Sequence, residues 1–549
     1  MMNELPQHLK KYCVDQNYAR YTPVDQATWR YCLRQLKDFL SKNAHPVYIE
    51  GLEKTGISED QIPRIEDMSE KLKNFGWTAM PVSGFIPPAA FMELQSLSIL
   101  PIASDMRTID HLLYTPAPDI VHEAAGHAPI IVDPEYAAYL KEYAQVAKKA
   151  IISKEDLDLY EAIRELSDVK ENPTSTAEQI AQSEKKLDAT IKASTHVSEA
   201  TELSRMNWWT AEYGLVGTVD KPKIFGAGLL SSIGESKWCL SDKVKKIPLT
   251  VDCIKQTYDI TEPQPQLFVT PDFKFLVKVL HQMAEKMAYR VGGKTGLDKA
   301  IQAKSVNTVQ LDTGLQISGV VSEYIQDSAG NIIYIKFSGP TQISKNDQQL
   351  SGHDKEYHQH GYSFPLGNYK QVGNTLQYDS GVTVTGDLAK TENGIMTFKN
   401  CTVKYKDQTL FQPEWGNFDI TVGNKVVSVF GGPADRKAYG DTDDFVAARV
   451  PTPNYSAEQK RLFALYQNIR DYRKSRTEWS DSTIMALFDK CLNEATDQWL
   501  LYVELLEIAY MSKLSPALSK KIETHLQTIK SNNEKLTSVI DDGVRLAYA

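Results

Sequence analysis

His122 and His127 stand five residues apart in Pro118-Asp119-Ile120-Val121-His122-Glu123-Ala124-Ala125-Gly126-His127-Ala128-Pro129. This spacing constrains the backbone more than any other feature of the chain. A neutral imidazole is a common ligand for zinc, copper, iron and nickel. The segment invites comparison with the zinc-protease pattern His-Glu-x-x-His, but side chains share a helix face at a spacing of four, not five. Five apart, they diverge by about 140° on a straight α-helix. If both meet one metal, the helix is expected to stop between them. Gly126 suits a helix C-terminus, and Pro129 does not readily continue a helix. His122 is therefore expected on the last helical turn and His127 on the turn beyond. A third ligand, carboxylate or imidazole, has to come from elsewhere.

The 549 residues suffice for about three or four domains. No run approaches the ~20 apolar residues needed to span a bilayer. Met1-Met2-Asn3-Glu4-Leu5-Pro6 lacks the basic-then-apolar pattern of a signal peptide. Cys13, Cys32, Cys239, Cys253, Cys401 and Cys491 are scattered, without the paired spacing of a structural zinc site or a disulfide framework. A reducing cytoplasm is the expected location. A net charge of -9 with no basic cluster argues against nucleic acid as a partner.

Texture divides the chain. Residues 1–143 mix helical periodicity with proline-rich turns. Residues 144–206 carry alternating charge, as in Arg164-Glu165-Leu166-Ser167-Asp168, and Asn172-Pro173-Thr174 interrupts them. That reads as a hairpin of two solvated helices. Residues 207–290 are aromatic and glycine-containing, closing with a helix around 273–290. From about 305 to 450 the period becomes two, with a hairpin signal at Glu392-Asn393-Gly394-Ile395. Residues 455–549 are helical again: Ser456 and Gln459 fit a capping box, and Trp499-Leu500-Leu501-Tyr502-Val503 sits in a helix that must bury itself.

Five blocks of sequence, in order, resemble the aromatic amino acid hydroxylases. They are Pro81-Val82-Ser83-Gly84-Phe85-Ile86; Tyr114-Thr115-Pro116-Ala117-Pro118-Asp119 running through His122-Glu123 to Gly126-His127; Trp208-Trp209-Thr210-Ala211-Glu212-Tyr213-Gly214-Leu215; Gly226-Ala227-Gly228-Leu229-Leu230-Ser231-Ser232-Ile233-Gly234-Glu235; and Thr261-Glu262-Pro263-Gln264-Pro265. The resemblance covers roughly residues 15–295. It implies a mainly α catalytic domain over residues 1–300, with a helical insertion at 144–206. An all-β domain over 305–450 and a helical C-terminal region over 455–549 follow from texture alone, making the chain multidomain. The family's N-terminal regulatory domain is expected to be absent, since the matched core starts almost at Met1.

The resemblance implies His122, His127 and Glu212 as ligands of one Fe(II). Two imidazoles and a carboxylate on one face of an octahedral ion leave positions open for oxygen chemistry. Eighty-five positions separate His127 from Glu212, longer than is usual in the family, and the 144–206 insertion accounts for the excess. Arg107 matches the position that grips a substrate carboxylate, for which a guanidinium fork is suited. Thr115 matches a position beside that carboxylate, Trp208 an aromatic wall for the substrate ring, and Ser231 a contact to substrate and an iron-ligand histidine. Asp119 is placed to orient a ligand imidazole. For a tetrahydropterin, tetrahydrobiopterin or a relative, the matching positions are Gly84, Phe85 and Ile86 in the loop, Phe91 as a stacking ring and Glu123 as a polar contact. Pro87-Pro88-Ala89 replaces serines common in the family, and Asn207 stands where an aromatic is usual.

The implied activity is phenylalanine 4-monooxygenase: L-phenylalanine, O2 and a tetrahydropterin yield L-tyrosine. Tyr114 resembles the phenylalanine and tryptophan enzymes more than the tyrosine enzymes, and Ile260 leaves tryptophan open. A zinc hydrolase built on His122-Glu123 is the rival class. Partners are small molecules, with neither nucleic acid nor membrane, and the C-terminal half is open to a role in homo-oligomer assembly. A chain ending near Gly293 is expected to keep hydroxylation. His353, His358 and His360 cluster in Gly352-His353-Asp354-Lys355-Glu356-Tyr357-His358-Gln359-His360-Gly361; such a cluster could bind a metal, but it reads first as a hydrophilic loop. Gly431-Gly432-Pro433 lacks the Lys-Ser or Lys-Thr of a phosphate loop and reads as a turn.

Overall fold

The computed structural model describes residues 5–82, 86–113, 118–171, 175–259, 262–440, 454–475, 480–513 and 515–549. It combines many helices with two large antiparallel sheets. The first long helix, Pro23–Asn43, begins at a capping box between Thr22 and Asp25, with proline at its first position. Trp29, Tyr31, Cys32, Leu33 and Leu36 are all buried, which is wider than a single apolar stripe. A helix apolar on more than one side needs cover on more than one side. The Val47–Lys54 and Ile233–Trp238 helices supply part of it, and the C-terminal helices Ala457–Ser475, Trp499–Met511 and Thr537–Ala547 a further part. One hydrophobic cluster therefore runs from Ala27 to Ala547. Trp499–Met511 is buried from Trp499 to Ala509 without interruption, as its composition requires.

Two small sheets lie between Thr78 and Thr270. Thr78–Val82 pairs in parallel with Ile99–Ala103. Lys221–Ile224, Leu215–Thr218, Gln266–Thr270 and Lys245–Pro248 form a mixed sheet in that order. The charged stretch forms helices Lys154–Glu171 and Ala177–Ala193, which pack together. Lys170–Glu184 at 2.9 Å and a Lys186–Glu165 pair link them; Asn172, Pro173 and Thr174 lie outside the described residues. The Pro134–Ala147 and Glu199–Asn207 helices flank this hairpin, and both belong to the core.

Residues 306–431 form the two six-stranded sheets. Their hairpin at Asn393-Gly394 has positive φ at both residues (53° and 83°), the conformation that Asn-Gly favours in a two-residue turn. The strand Ile332–Lys345 alternates imperfectly for a physical reason: Tyr334 packs into one core and Ile335 into another, so both faces are buried. Ser456 and Gln459 exchange the expected capping bonds at 3.1 and 2.8 Å.

Candidate metal and pterin site

The histidine segment does not stop at Gly126. Val121–His127 is a π-helix that passes directly into the helical turn Ala128–Ile130. Hydrogen bonds from i to i+5 widen the turn, so residues five apart fall on one face. The expected break is thus replaced by a wider helix, and His122 and His127 converge within it. Gly126 serves packing: a Cβ there would sit 2.6 Å from the carbonyl oxygen of Ala227. Pro129 sits where the π-helix passes into the following turn; it has no N–H to donate to the preceding turn. The segment Trp208–Glu212 is also a π-helix, extending the Glu199–Asn207 helix.

These two widened turns bring three donor groups together. His122 Nε2 and His127 Nε2 are 3.2 Å apart. Glu212 Oε2 lies 3.3 Å from His122 Nε2, and its Oε1 lies 3.3 Å from His127 Nε2. Glu123 also approaches the two imidazoles, within 4.8 Å, but Glu212 is closer and faces both Nε2 atoms. Burial pushes the Glu212 carboxyl up, yet the imidazoles of His127 and His122 outweigh it and hold it well below the usual range.

The hydrogen-bond network fixes the tautomer of His122. Ser231 Oγ donates its one proton to the carbonyl of Ala227 at 2.7 Å. Toward His122 Nδ1, 3.1 Å away, it can therefore only accept. Nδ1 carries the proton, and Nε2 presents its lone pair to His127 and Glu212. That is the arrangement of a metal-ligating imidazole oriented from behind. Asn207 Nδ2 reaches Glu212 Oε1 at 3.4 Å, a contact that the sequence did not suggest.

Asp119 does not orient an imidazole. Its carboxylate takes Arg107 Nε and Nη2, both at 2.8 Å, and the backbone N–H of His122 at 3.0 Å. With the backbone N–H of Arg107 at 2.9 Å, four nearby donors satisfy an acidic group just before a helical turn. The Arg107 side chain is 1% exposed, and its Nη1 donates to the carbonyl of Ser231 at 3.1 Å. Burial raises the Asp119 carboxyl, but Arg107 outweighs it and holds the group below its ordinary range. The strand-to-helix lead-in thus ties Arg107, Asp119, His122 and Ser231 into one network.

Trp208 stacks on Tyr258 at 4.1 Å with 7° between planes, and on Tyr213 at 4.5 Å. Tyr213 Oη donates to Glu235 at 2.6 Å, whose carboxyl burial pushes up to about 7. Ile86 is buried in a satellite cluster with Met80, Val82 and Leu94, and Phe91 packs against it. Pro87 and Pro88 start the helix Pro88–Ser96 that carries Phe91. Glu123 is buried, its Oε2 without a hydrogen-bond partner, and burial pushes its carboxyl up to about 8. Gly84, Phe85, Thr115, Tyr114 and Ile260 lie outside the described residues.

The description biopterin-dependent aromatic amino acid hydroxylase matches residues 6–156 and 173–303. The chain belongs to that family. It is 31% identical to the phenylalanine-4-hydroxylase of Mesorhizobium japonicum over 270 residues, 48% of this chain and 81% of the relative. Identity to the phenylalanine-4-hydroxylase of Pseudomonas aeruginosa is 27%, covering 50% of this chain and 89% of the relative. The crystal structure of Chromobacterium violaceum phenylalanine hydroxylase with bound iron(III) and 7,8-dihydrobiopterin is similar over 50% of this chain and 85% of that one, with 25% identity and a TM-score of 0.39.

Proposed function

We propose that the protein is a phenylalanine 4-monooxygenase, converting L-phenylalanine to L-tyrosine with O2 and a tetrahydropterin at a mononuclear Fe(II). The observation that carries this reading is the triangle of His122 Nε2, His127 Nε2 and Glu212 carboxylate, with edges of 3.2 to 3.3 Å, in a member of a biopterin-dependent family. The donor set fits iron: two imidazoles and one carboxylate suit a non-haem Fe(II) site with open positions. The fit to a pterin rests on Glu123, whose buried Oε2 has no partner in the protein and can meet a polar edge of the cofactor. The phenylalanine-4-hydroxylase names of the relatives favour phenylalanine over tryptophan, and the same relatives argue against a zinc hydrolase.

Iron and pterin, when bound, supply the chemistry that activates O2. The chain's own residues orient and enclose. Ser231 and Asn207 hold His122 and Glu212. Arg107, fixed by Asp119, is the group for the substrate carboxylate, and Trp208, backed by Tyr258 and Tyr213, is the wall for the ring. Fixing the amino acid at both ends sets the distance of its ring carbon from the metal, which is catalysis by proximity. Ile86 and Phe91 lie on the pterin side; the family resemblance adds Gly84 and Phe85 as pterin contacts and Thr115 as a contact to the substrate carboxylate.

Among the described residues no helix is long and apolar enough to cross a membrane, and all six cysteines are free; a cytoplasmic location is the reading these support. The proposed layout is a catalytic region over 1–300, a β-rich region over 305–450 and a helical region over 455–549, with self-association through the last two. The purified chain, supplied with Fe(II), tetrahydrobiopterin and O2, is expected to form tyrosine from phenylalanine faster than it hydroxylates tryptophan or tyrosine. Faster 5-hydroxytryptophan formation would reassign the substrate, and turnover without O2 would overturn the class.

A further inference from the structure

We propose that His353, His358 and Asp419 form a second metal site, for a divalent first-row transition ion of the zinc type, in the β-rich part of the chain. The two histidines again stand five residues apart, in the turn between the strands Gln348–Gln349 and Gly361–Pro365. The turn is pinned to the long strand Ile332–Lys345: the carbonyl of His353 accepts from Ile343 N at 3.0 Å and that of His358 from Thr341 N at 3.3 Å. Asp419 comes from the strand Phe418–Thr421 of the other sheet.

His353 Nδ1 and His358 Nε2 lie 3.1 Å apart, and a carboxylate oxygen of Asp419 completes a set within 4.8 Å. All three residues are buried, at 7%, 7% and 4% exposure. His360, in the same turn, is exposed and takes no part. Burial favours the neutral imidazole, the form that ligates a metal.

A metal-free hydrogen-bonded trio accounts for less. One N–H···N bond would join the rings. The Thr397 hydroxyl donates to Asp419 Oδ1 at 2.5 Å and the Tyr357 hydroxyl also donates to this carboxylate, but both donors are neutral. Among the described residues no lysine or arginine forms an ion pair with Asp419. A buried carboxylate without a cation is costly, and two imidazole nitrogens turned toward it cannot supply a fixed positive charge while neutral. A divalent ion supplies the charge and uses all three donors. Imidazole and carboxylate together suit zinc and its first-row neighbours. Such an ion would clip the 352–361 turn to the second sheet and tie the two β cores together.

The test uses the full chain carrying His122→Ala and His127→Ala, which removes the first site, stripped with a chelator and titrated with Co(II) and then Zn(II). One Co(II) per chain is expected, with the visible spectrum of an ion held by few ligands, displaced by Zn(II) one for one, and with an increase in Tm. Adding His358→Gln or Asp419→Asn should lower the count from one to none and abolish the Tm increase. Absence of binding in the parent chain would overturn the proposal, as would undiminished binding in both folded variants. If both variants fail to fold, X-ray absorption at the zinc edge of the loaded parent decides. A shell containing two imidazoles upholds the site, and any other shell overturns it.

Discussion

Arg30 and Glu507, separated by 477 positions, face each other through two hydrogen bonds of 2.5 Å in the core of the protein. Arg30 belongs to the first long helix and Glu507 to the helix Trp499–Met511. Arg34 Nη1 adds a 2.8 Å contact to Glu507. The beginning and end of the chain are thus joined by a buried charge pair as well as by a shared hydrophobic cluster.

Truncation near Gly293 should therefore not yield a clean catalytic core. It would strip cover from the Pro23–Asn43 helix and remove the two buried carboxylates, Glu504 and Glu507, that face Arg30. The expected outcome is aggregation or poor folding, seen by size-exclusion chromatography. A soluble, monomeric, fully active fragment would show that the terminal helices are dispensable. In the full chain, Glu507→Ala should destabilise by about 3–5 kcal/mol, the typical effect of breaking a buried pair; the urea midpoint measures it.

The neighbouring Glu504 makes the same region sensitive to acid. Burial pushes its carboxyl up, but Arg473 and Arg30 outweigh burial and hold it below its ordinary range. A depressed folded pKa contributes stability fully present above the unfolded value of about 4.3 and lost as pH falls through the folded value. Stability should fall steeply below about pH 4.3. Glu504→Gln should be less stable at pH 7 yet show a shallower decline in acid. Parallel curves for the two proteins would remove Glu504 from the account.

His122→Ala, His127→Ala and Glu212→Ala should each lose iron and nearly all coupled hydroxylation while keeping the far-ultraviolet circular dichroism of the parent. Full activity in any one variant would exclude that residue from the ligand set. Ser231→Ala should be milder. Because Ser231 fixes the His122 tautomer, iron affinity should fall by roughly 10- to 100-fold, read by metal competition. An unchanged affinity would mean that the helix alone orients the ring.

Arg107→Ala removes a charge-assisted bond of about 1.5–3 kcal/mol, so apparent affinity for phenylalanine should fall roughly 10- to 150-fold. The variant also leaves Asp119 buried without its cation. Arg107→Lys is therefore the cleaner test: it keeps the charge and loses the fork, and should raise KM with a smaller loss of stability. An unchanged KM in both would place the carboxylate elsewhere.

Much of the first site was legible because its signals are local. The histidine pair, its glycine and the Trp208–Glu212 block stand in short motifs, and the alternating charges of the 154–193 hairpin are visible without a structure. The π-turns were not, because a change from i+4 to i+5 hydrogen bonding leaves the residue types unchanged. Asp119 was assigned to the wrong partner, since its local position admits both the arginine and the imidazole. Apolar residues all round Trp499–Met511 announce burial but not the surface that buries them. Asp419, sixty-one positions after His358, carries no motif at all; only sheet pairing brings it to the 352–361 turn.

The widened turn at Val121–His127 also sets a rule for how this segment can vary. A π-turn holds one residue more than the α-turn it replaces, so here length matters as much as identity. Loss of Ala124 or Ala125 would keep His122, His127 and Glu212 and leave His-Glu-x-x-His on an ordinary α-helix, aimed for a different geometry. Substitutions within the segment can be graded by size and polarity. Insertions and deletions cannot, because a change of one residue rotates His127 and everything after it relative to Glu212.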